Sequence, residues 1–235
     1  MSLNDPALSV TIAALPLFEG VPTAAIAELA TTTRMRTLAR GERAFDQGET
    51  VERAHVLLSG AIRISQAGSD GGQVAIRFIA PGEIFGSVAI FTDGQYPADG
   101  IAMTASVELS WARQELLALA ERYPQIALNL IAIIGRRLAE LQNRVREMAT
   151  QRAESRIAHT LLRLARQAGR TTADGIAIAF PVRRKDIADI AGTSLYTVSR
   201  TLNEWHRQRL IIADGRGLVL SRLQELDRVA EGLLG

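Results

Sequence analysis

Asp186-Ile187-Ala188-Asp189-Ile190-Ala191-Gly192-Thr193-Ser194-Leu195-Tyr196-Thr197-Val198-Ser199-Arg200 is the stretch from which the rest of the chain is read. Ile187, Ala188 and Ile190 put small and apolar side chains on one side of a first helix. Gly192 follows where a tight turn needs left-handed backbone, which only glycine adopts without strain. Thr193 or Ser194 can cap a second helix through a side-chain oxygen. In that second helix Val198 and Leu202 face the first. The spacing predicts helices over Lys185–Ala191 and Ser194–Arg209. It leaves Leu195, Tyr196, Ser199 and Arg200 near the outer face, at the start of the second helix.

A helix pair of this form offers the start of its second helix to the DNA major groove. Arg200 carries paired donors suited to guanine O6 and N7. Ser199 suits a base edge or a phosphate. Tyr196 suits a hydroxyl contact or a thymine methyl, and Thr197 can reach a backbone oxygen. Arg183, Arg184 and Lys185 stand where the first helix begins, placed for phosphate. Upstream, Ala153–Ala168 reads as a helix ended by Gly169, and Ile176–Phe180 as a strand running into Pro181. Downstream, Ile211–Asp214 and Leu218–Leu220 bracket Gly215-Arg216-Gly217, a hairpin signal. Helix, strand, helix, turn, helix, hairpin is the order of a winged helix-turn-helix. Charge agrees with it. Residues 1–149 hold 13 basic and 16 acidic side chains, whereas residues 150–235 hold 14 and 9. A basic C-terminal third suits a polyanionic partner.

Working outward, the texture changes. Short helices are expected up to about Arg36. From Thr37 to Trp111, short apolar runs alternate with Gly, Asp and Pro signals, the pattern of an antiparallel β barrel or roll. Helix returns at about Gln114. Between Pro124 and Gln151, Ile126, Leu130, Ile133 or Ile134, Leu138, Leu141, Val145 and Met148 recur at steps of three and four, a coiled-coil-like seam. The seam proper is assigned to Leu130, Ile134, Leu138, Leu141, Val145 and Met148, and it predicts a homodimer. The expected class is α+β, with a sensing β-roll domain and dimerisation helix over residues 1–149 (the helix at about 114–149). A winged helix-turn-helix domain is expected over 150–235. The absence of cysteine excludes disulfides, thiolate-held zinc and cysteine-ligated iron–sulfur clusters. No apolar run has membrane-spanning length, and the start of the chain lacks a signal-peptide pattern. A soluble cytoplasmic protein is expected.

With Gly192, Ser194, Thr197, Val198, Ser199 and Arg200 in this order, the chain resembles the Crp/Fnr family of bacterial regulators, which read G-x-[ST]-x-x-T-[VI]-[SG]-R in the recognition helix. Gln47-Gly48-Glu49, Ser59-Gly60 and Pro81-Gly82-Glu83-Ile84-Phe85-Gly86 resemble landmarks of the family's sensor domain. The long seam helix resembles its dimerisation helix. The resemblance spans nearly the whole chain. It implies a cyclic-nucleotide-binding-like jelly roll and a dimer on a palindromic operator in double-stranded DNA, with RNA polymerase as a further partner. Two departures stand out. Tyr196 replaces the Glu that many members carry for cytosine N4, which implies a different half-site. Arg183 replaces a Thr that often starts the first helix, which trades a capping bond for a phosphate contact.

The resemblance also locates an effector pocket at Phe85, Gly86, Ser87, Pro97 and Ala98. Ser87 stands where cyclic-AMP-binding relatives have Glu, and Pro97-Ala98 where they have Arg-Ser. A buried phosphate would have no counter-ion there, so cyclic AMP is disfavoured. Thr193 to Arg200, with Trp205, is similar to the branch that answers nitric oxide and governs denitrification, which makes haem a candidate cofactor. The histidines are His55, His159 and His206. Each reads more readily as a packing or surface residue than as an axial ligand, while methionine or a main-chain amine could also ligate. Two other classes compete with this reading. A cupin-type enzyme would need clustered His and carboxylate ligands, and the barrel region has only one His. A regulatory module without DNA contact is disfavoured by the intact recognition helix.

Overall fold

The computed structural model describes residues 6–68, 72–87, 90, 94–213 and 217–233. They form two compact units. One comprises residues 1–64 with 79–140, the other residues 65–78 with 141–235.

The first unit opens with helices α1 (Pro6–Ala13) and α2 (Thr23–Thr32). Strands β1 (Arg34–Leu38), β2 (Arg43–Phe45), β3 (Arg53–Ser59), β4 (Ile62–Ala67), β5 (Gln73–Ile79), β6 (Ile84–Phe85), β7 (Asp99–Ala102) and β8 (Ser106–Ala112) follow along the chain, the end of β4 and all of β5 but Ile79 being counted with the other unit. They make two four-stranded sheets, ordered β1-β8-β3-β6 and β2-β7-β4-β5. Successive strands swap between the sheets, except β4 and β5, which are neighbours in one, and this fits the expected jelly roll. Trp111 anchors the core. Its ring meets Phe18 edge-on at 5.1 Å, and its indole N–H donates to the Thr33 hydroxyl at 2.9 Å. A buried indole needs such an acceptor.

Helix returns as two pieces, α3 (Arg113–Arg122) and α4 (Pro124–Thr150), bent by 112° at Tyr123. The apolar periodicity continues across this break and conceals it. Pro124 explains it, since proline lacks an N–H and fits the first turn of a new helix. No single helix among the described residues is long and apolar enough to cross a membrane.

In the second unit α5 (Ala153–Ala168), α6 (Arg184–Ala191), α7 (Leu195–Arg207) and α8 (Leu223–Ala230) surround a sheet ordered β11-β12-β10-β9. Its strands are β9 (Gly169–Thr172), β10 (Gly175–Ile178), β11 (Ile211–Ala213) and β12 (Leu218–Leu220). The hairpin expected at Gly215-Arg216-Gly217 is bounded by the antiparallel pair β11 and β12, but residues 214–216 lie outside the described residues. Sequence reading missed β9, whose four residues are all exposed and so carry no apolar alternation. It also missed α8, although Leu226, Val229 and Ala230 pack inward at helical spacing.

Candidate nucleic-acid interface and effector site

Helices α6 and α7 meet through Gly192, which has φ 61° and ψ 46° and closes α6 with its N–H on the carbonyls of Ala188 and Asp189. A side chain there would be strained and would crowd Met148 at 3.2 Å. Arg156 reaches from α5 to bind the carbonyls of Ala191 at 2.8 Å and Gly192 at 3.0 Å. A cation on the last carbonyls of α6 offsets its C-terminal dipole. Ser194 is the N-cap of α7, and its hydroxyl accepts from the Thr197 N–H at 3.0 Å. Beneath, Val198, Leu202 and Trp205 are buried, and the Trp205 indole donates to Glu154 at 3.0 Å.

The predicted DNA-facing residues divide into two groups. Leu195 and Tyr196 project from the start of α7, with Tyr196 77% exposed. Arg200 lies a turn on and is exposed, with Ser199 half-buried beside it. Among the described residues no hydrogen bond or ion pair engages the side chains of Tyr196, Ser199 or Arg200. The second group is engaged. Arg183 forks onto the buried Asp186 carboxylate at 2.9 and 3.0 Å, and that carboxylate also accepts the Arg183 N–H. Half of a capping box is thus kept without the Thr. Arg184 donates to Asn203 on α7 at 2.8 Å, and Lys185 pairs with Asp189 at 2.9 Å. Ser194 and Thr197 are engaged with each other at 2.9 Å. Sequence reading missed Asp186, Asp189 and Asn203 as partners. The i,i+3 and i,i+4 spacings of the two carboxylates were the available signal.

Along α4 the outer face carries Ile131, Ile134, Leu138, Leu141, Val145 and Met148, all exposed. Their steps of three and four form a continuous apolar seam. Leu130, assigned to that seam from sequence, is instead 5% exposed and part of the roll's core. It is displaced about 100° around the helix from Ile131, so Ile131 holds the outer position.

In the roll, Phe85, Ser87 and Ala98 are buried and Gly86 is half-buried, while Pro97 is exposed. The space beside them is filled by the protein's own rings. Phe45 stacks on Tyr96 at 4.0 Å with an interplanar angle of 8°, and His55 lies 5.2 Å from Phe85. Gly86, at φ +67°, has Phe45 and Tyr96 each 3.0 Å from where a Cβ would stand. Tyr96 donates to the Arg53 carbonyl at 3.0 Å and lies 3.2 Å from His55 Nε2. Burial, with Glu108, Glu49 and Glu52 nearby, pushes the Tyr96 phenol up to about 12 against the opposing Arg53 bond. His55 Nδ1 faces Glu108 at 3.3 Å, and Arg36 meets the other oxygen of Glu108 at 3.2 Å. Arg53 is held by Ser110, Arg113 by the Ile90 carbonyl and Arg137 by the Ile84 carbonyl. These four guanidinium groups, of Arg36, Arg53, Arg113 and Arg137, are committed to protein oxygens. Ser87, 1% exposed, has a hydroxyl with no partner among the described residues.

An all-β sensor roll, a long helix with an apolar outer face and a capped recognition helix define a DNA-binding regulator of the helix-turn-helix class. Residues 35–123 match the cyclic nucleotide-binding domain family, and residues 155–229 match the Crp-like helix-turn-helix domain family. The chain is 30% identical over 176 residues to the cAMP-activated global transcriptional regulator CRP of Escherichia coli O6:H1, covering 74% of this chain and 83% of that one. It is 28% identical over 218 residues to the Cyclic AMP receptor protein of Thermus thermophilus, covering 93% and 98%. The solved structure of FixK2 from Bradyrhizobium japonicum superposes with a TM-score of 0.74 at 25% identity, covering 84% of this chain and 96% of that one. The chain belongs to the Crp/Fnr family of DNA-binding transcriptional regulators. The relatives are regulators and not enzymes.

Proposed function

We propose that the protein binds a palindromic operator as a homodimer, with the two α7 helices about one turn of DNA apart, roughly 34 Å. The observation that carries this reading is the bare outer face of α7. Among the described residues Tyr196, Ser199 and Arg200 have no side-chain partners, while the residues around them are capped and packed. Arg200 reads guanine, Ser199 a base edge or phosphate, and Tyr196 sets a half-site unlike that of members with Glu in its place. Pairing two copies along Ile131–Met148 would remove from water the longest row of exposed apolar side chains among the described residues. Residues 1–149 act as sensor and dimer helix, and residues 150–235 as the DNA-binding domain that an effector repositions about 149–152. RNA polymerase is the further partner, and the cytoplasm the setting. Titration of duplex DNA at graded salt tests the core of this reading. Binding that weakens with salt and prefers one sequence supports it, and a flat, sequence-blind profile refutes it.

The effector is not cyclic AMP. The relatives named for it are activated by it, but here Pro97 and Ala98 supply no cation, and Phe45 and Tyr96 fill the space. Calorimetry with cyclic AMP should give no binding heat. Nitric oxide through haem rests on the likeness of residues 193–200 and Trp205 to one branch of the family. The histidines as they stand do not fit an axial ligand. Both nitrogens of His55 face protein oxygens in a packed interior. His159 contacts Gln151, and His206 Nδ1 lies 3.4 Å from the Ala213 N–H. An absorbance spectrum of protein made with haem, with and without nitric oxide, decides the matter. A Soret band that shifts with the gas supports the branch, and a featureless spectrum removes it.

A further inference from the structure

Strand β5 ends the order β2-β7-β4-β5, so among the described residues one of its edges has no strand beside it. Open edges invite unwanted pairing and are usually covered. Residues 65–78 share a compact unit with residues 141–235, and side chains of that unit meet the backbone of β5. Lys185 Nζ donates to the Gln73 carbonyl at 2.9 Å. The Ala75 N–H donates to Asp189 Oδ2 at 3.0 Å. Arg144 bridges the Ile76 carbonyl at 3.0 Å and the Ile190 carbonyl at 3.1 Å. Gln167 donates to the Phe78 carbonyl at 2.8 Å, and the Phe78 and Phe180 rings lie 4.9 Å apart. These four polar links end on the β5 main chain, and Lys185, Asp189 and Ile190 all belong to α6.

Lys185 therefore has two claims on it. Its ammonium has three N–H donors, and three acceptors already surround it: the Gln73 carbonyl and both oxygens of Asp189, at 3.1 and 2.9 Å. A DNA phosphate could be met only by displacing one of them. We propose that β5 and Asp189 form a clasp that withholds Lys185 and the first helix of the helix-turn-helix from the DNA backbone, and that the clasp opens when DNA binds. Phosphate competes with the Gln73 carbonyl for the same ammonium. Arg144, projecting from α4, ties that helix to the same clasp. The proposal rests on the DNA-contacting role given to the start of α6 above.

The probe is a random-sequence duplex titrated at graded salt, with wild type and three variants, each checked by thermal melting. Ala75→Pro removes the N–H that Asp189 accepts, leaves net charge unchanged, and suits an uncovered strand edge. It should bind about three- to ten-fold tighter than wild type, with the salt slope steeper by about one phosphate contact. Asp189→Ala should do the same. In Lys185→Ala, adding Asp189→Ala should yield no gain beyond that of its added net charge, so the coupling between the two sites is the signature. Equal or weaker binding by the folded Ala75→Pro protein overturns the clasp, as does a gain from Asp189→Ala that survives intact without Lys185. If Ala75→Pro fails to fold, the Asp189–Lys185 cycle decides alone. A wild-type protein with no salt slope would instead fail the DNA-contact reading itself.

Discussion

Tyr96 and Tyr196 are the same side chain put to opposite uses. Tyr96 is buried in the roll, stacked on Phe45, with its hydroxyl spent on Arg53 and His55. Tyr196 stands out from the start of α7 with nothing attached to its hydroxyl among the described residues. Their surroundings repeat the contrast. Arg36, Arg53 and Glu108 are tied into the roll, whereas Arg200 is exposed and unpaired among the described residues. In the roll, these polar groups are spent on one another and on the main chain. On α7, polar groups that could have paired with neighbours are held apart from them. Recognition requires donors that are ordered but unsatisfied, and capping by Ser194 and packing of Val198 and Trp205 supply the order without using them.

The sharpest way to break this contrast is to truncate one residue on each side of it. Phe45→Ala removes a buried ring that touches Tyr96, Phe85 and His55. It should cost about 3–5 kcal/mol of stability in chemical unfolding, with DNA affinity of the folded fraction unchanged. Leu195→Ala, on the exposed start of α7, should alter stability by under about 0.5 kcal/mol and still weaken operator binding. If Leu195→Ala unfolds the protein or Phe45→Ala barely matters, the two regions are not divided as described. The next effect in size concerns the α4 seam. Leu138→Glu with Leu141→Glu should give monomers by light scattering and lower operator affinity about a hundred-fold, roughly 2.7 kcal/mol. A dimer that persists would move the pairing surface elsewhere.

The α7 side of the comparison was legible in the sequence, because each of its devices is local. Gly192, Ser194 and Val198 act within a few residues of themselves, and the apolar spacing marks the buried face. The winged order and the roll were legible for the same reason, through turn signals between short strands. The roll's pocket was less so. Its residues were found by resemblance, but that Phe45 and Tyr96 fill it depends on partners 51 residues apart in the chain, which no spacing rule connects. Likewise Arg183, Arg184 and Lys185 read as cations placed for phosphate. Asp186, Asn203 and Asp189 take them up only once the backbone has set their distances. Leu130 failed for a simpler reason. A seam and a core-facing stripe on one helix differ by a single residue step, and periodicity alone assigned it to the wrong stripe.

Within the DNA-facing set itself, Arg200→Ala and Arg183→Ala should separate cleanly. Arg200→Ala should cost about 1–3 kcal/mol in binding and relax the preference at one base pair of each half-site. Arg183→Ala should leave sequence preference intact, because its guanidinium already serves Asp186. Its cost should appear as about 0.5–2 kcal/mol of stability from the weakened start of α6. Selection of binding sites from a random pool, with thermal melts of both variants, would distinguish them. Identical site logos for Arg200→Ala and wild type would remove Arg200 as a reader.

The smallest effect lies at the joint between α4 and α5, where His159 contacts Gln151 at 3.2 Å. Burial, joined by Arg163, Arg166 and Arg146, holds His159 below its usual 6.5 against the pull of Glu147. The sign follows from linkage. The unfolded chain takes up a proton at His159 near pH 6.5, and the folded protein does so only at lower pH. Its contribution to stability is therefore complete above about pH 6.5 and is lost as pH falls through the lowered folded value. His159 is partly open to solvent, so screening keeps the change small. Unfolding midpoints of wild type and His159→Gln, measured from pH 7.5 down to 5, should run parallel above 6.5. Below it they should converge or cross, as wild type loses the larger share. Because His159 lies where the long helix ends and the DNA-binding helices begin, the same window should bring faster amide exchange at Gln151 and Arg152 in wild type. Parallel midpoints throughout would make His159 a bystander to the joint.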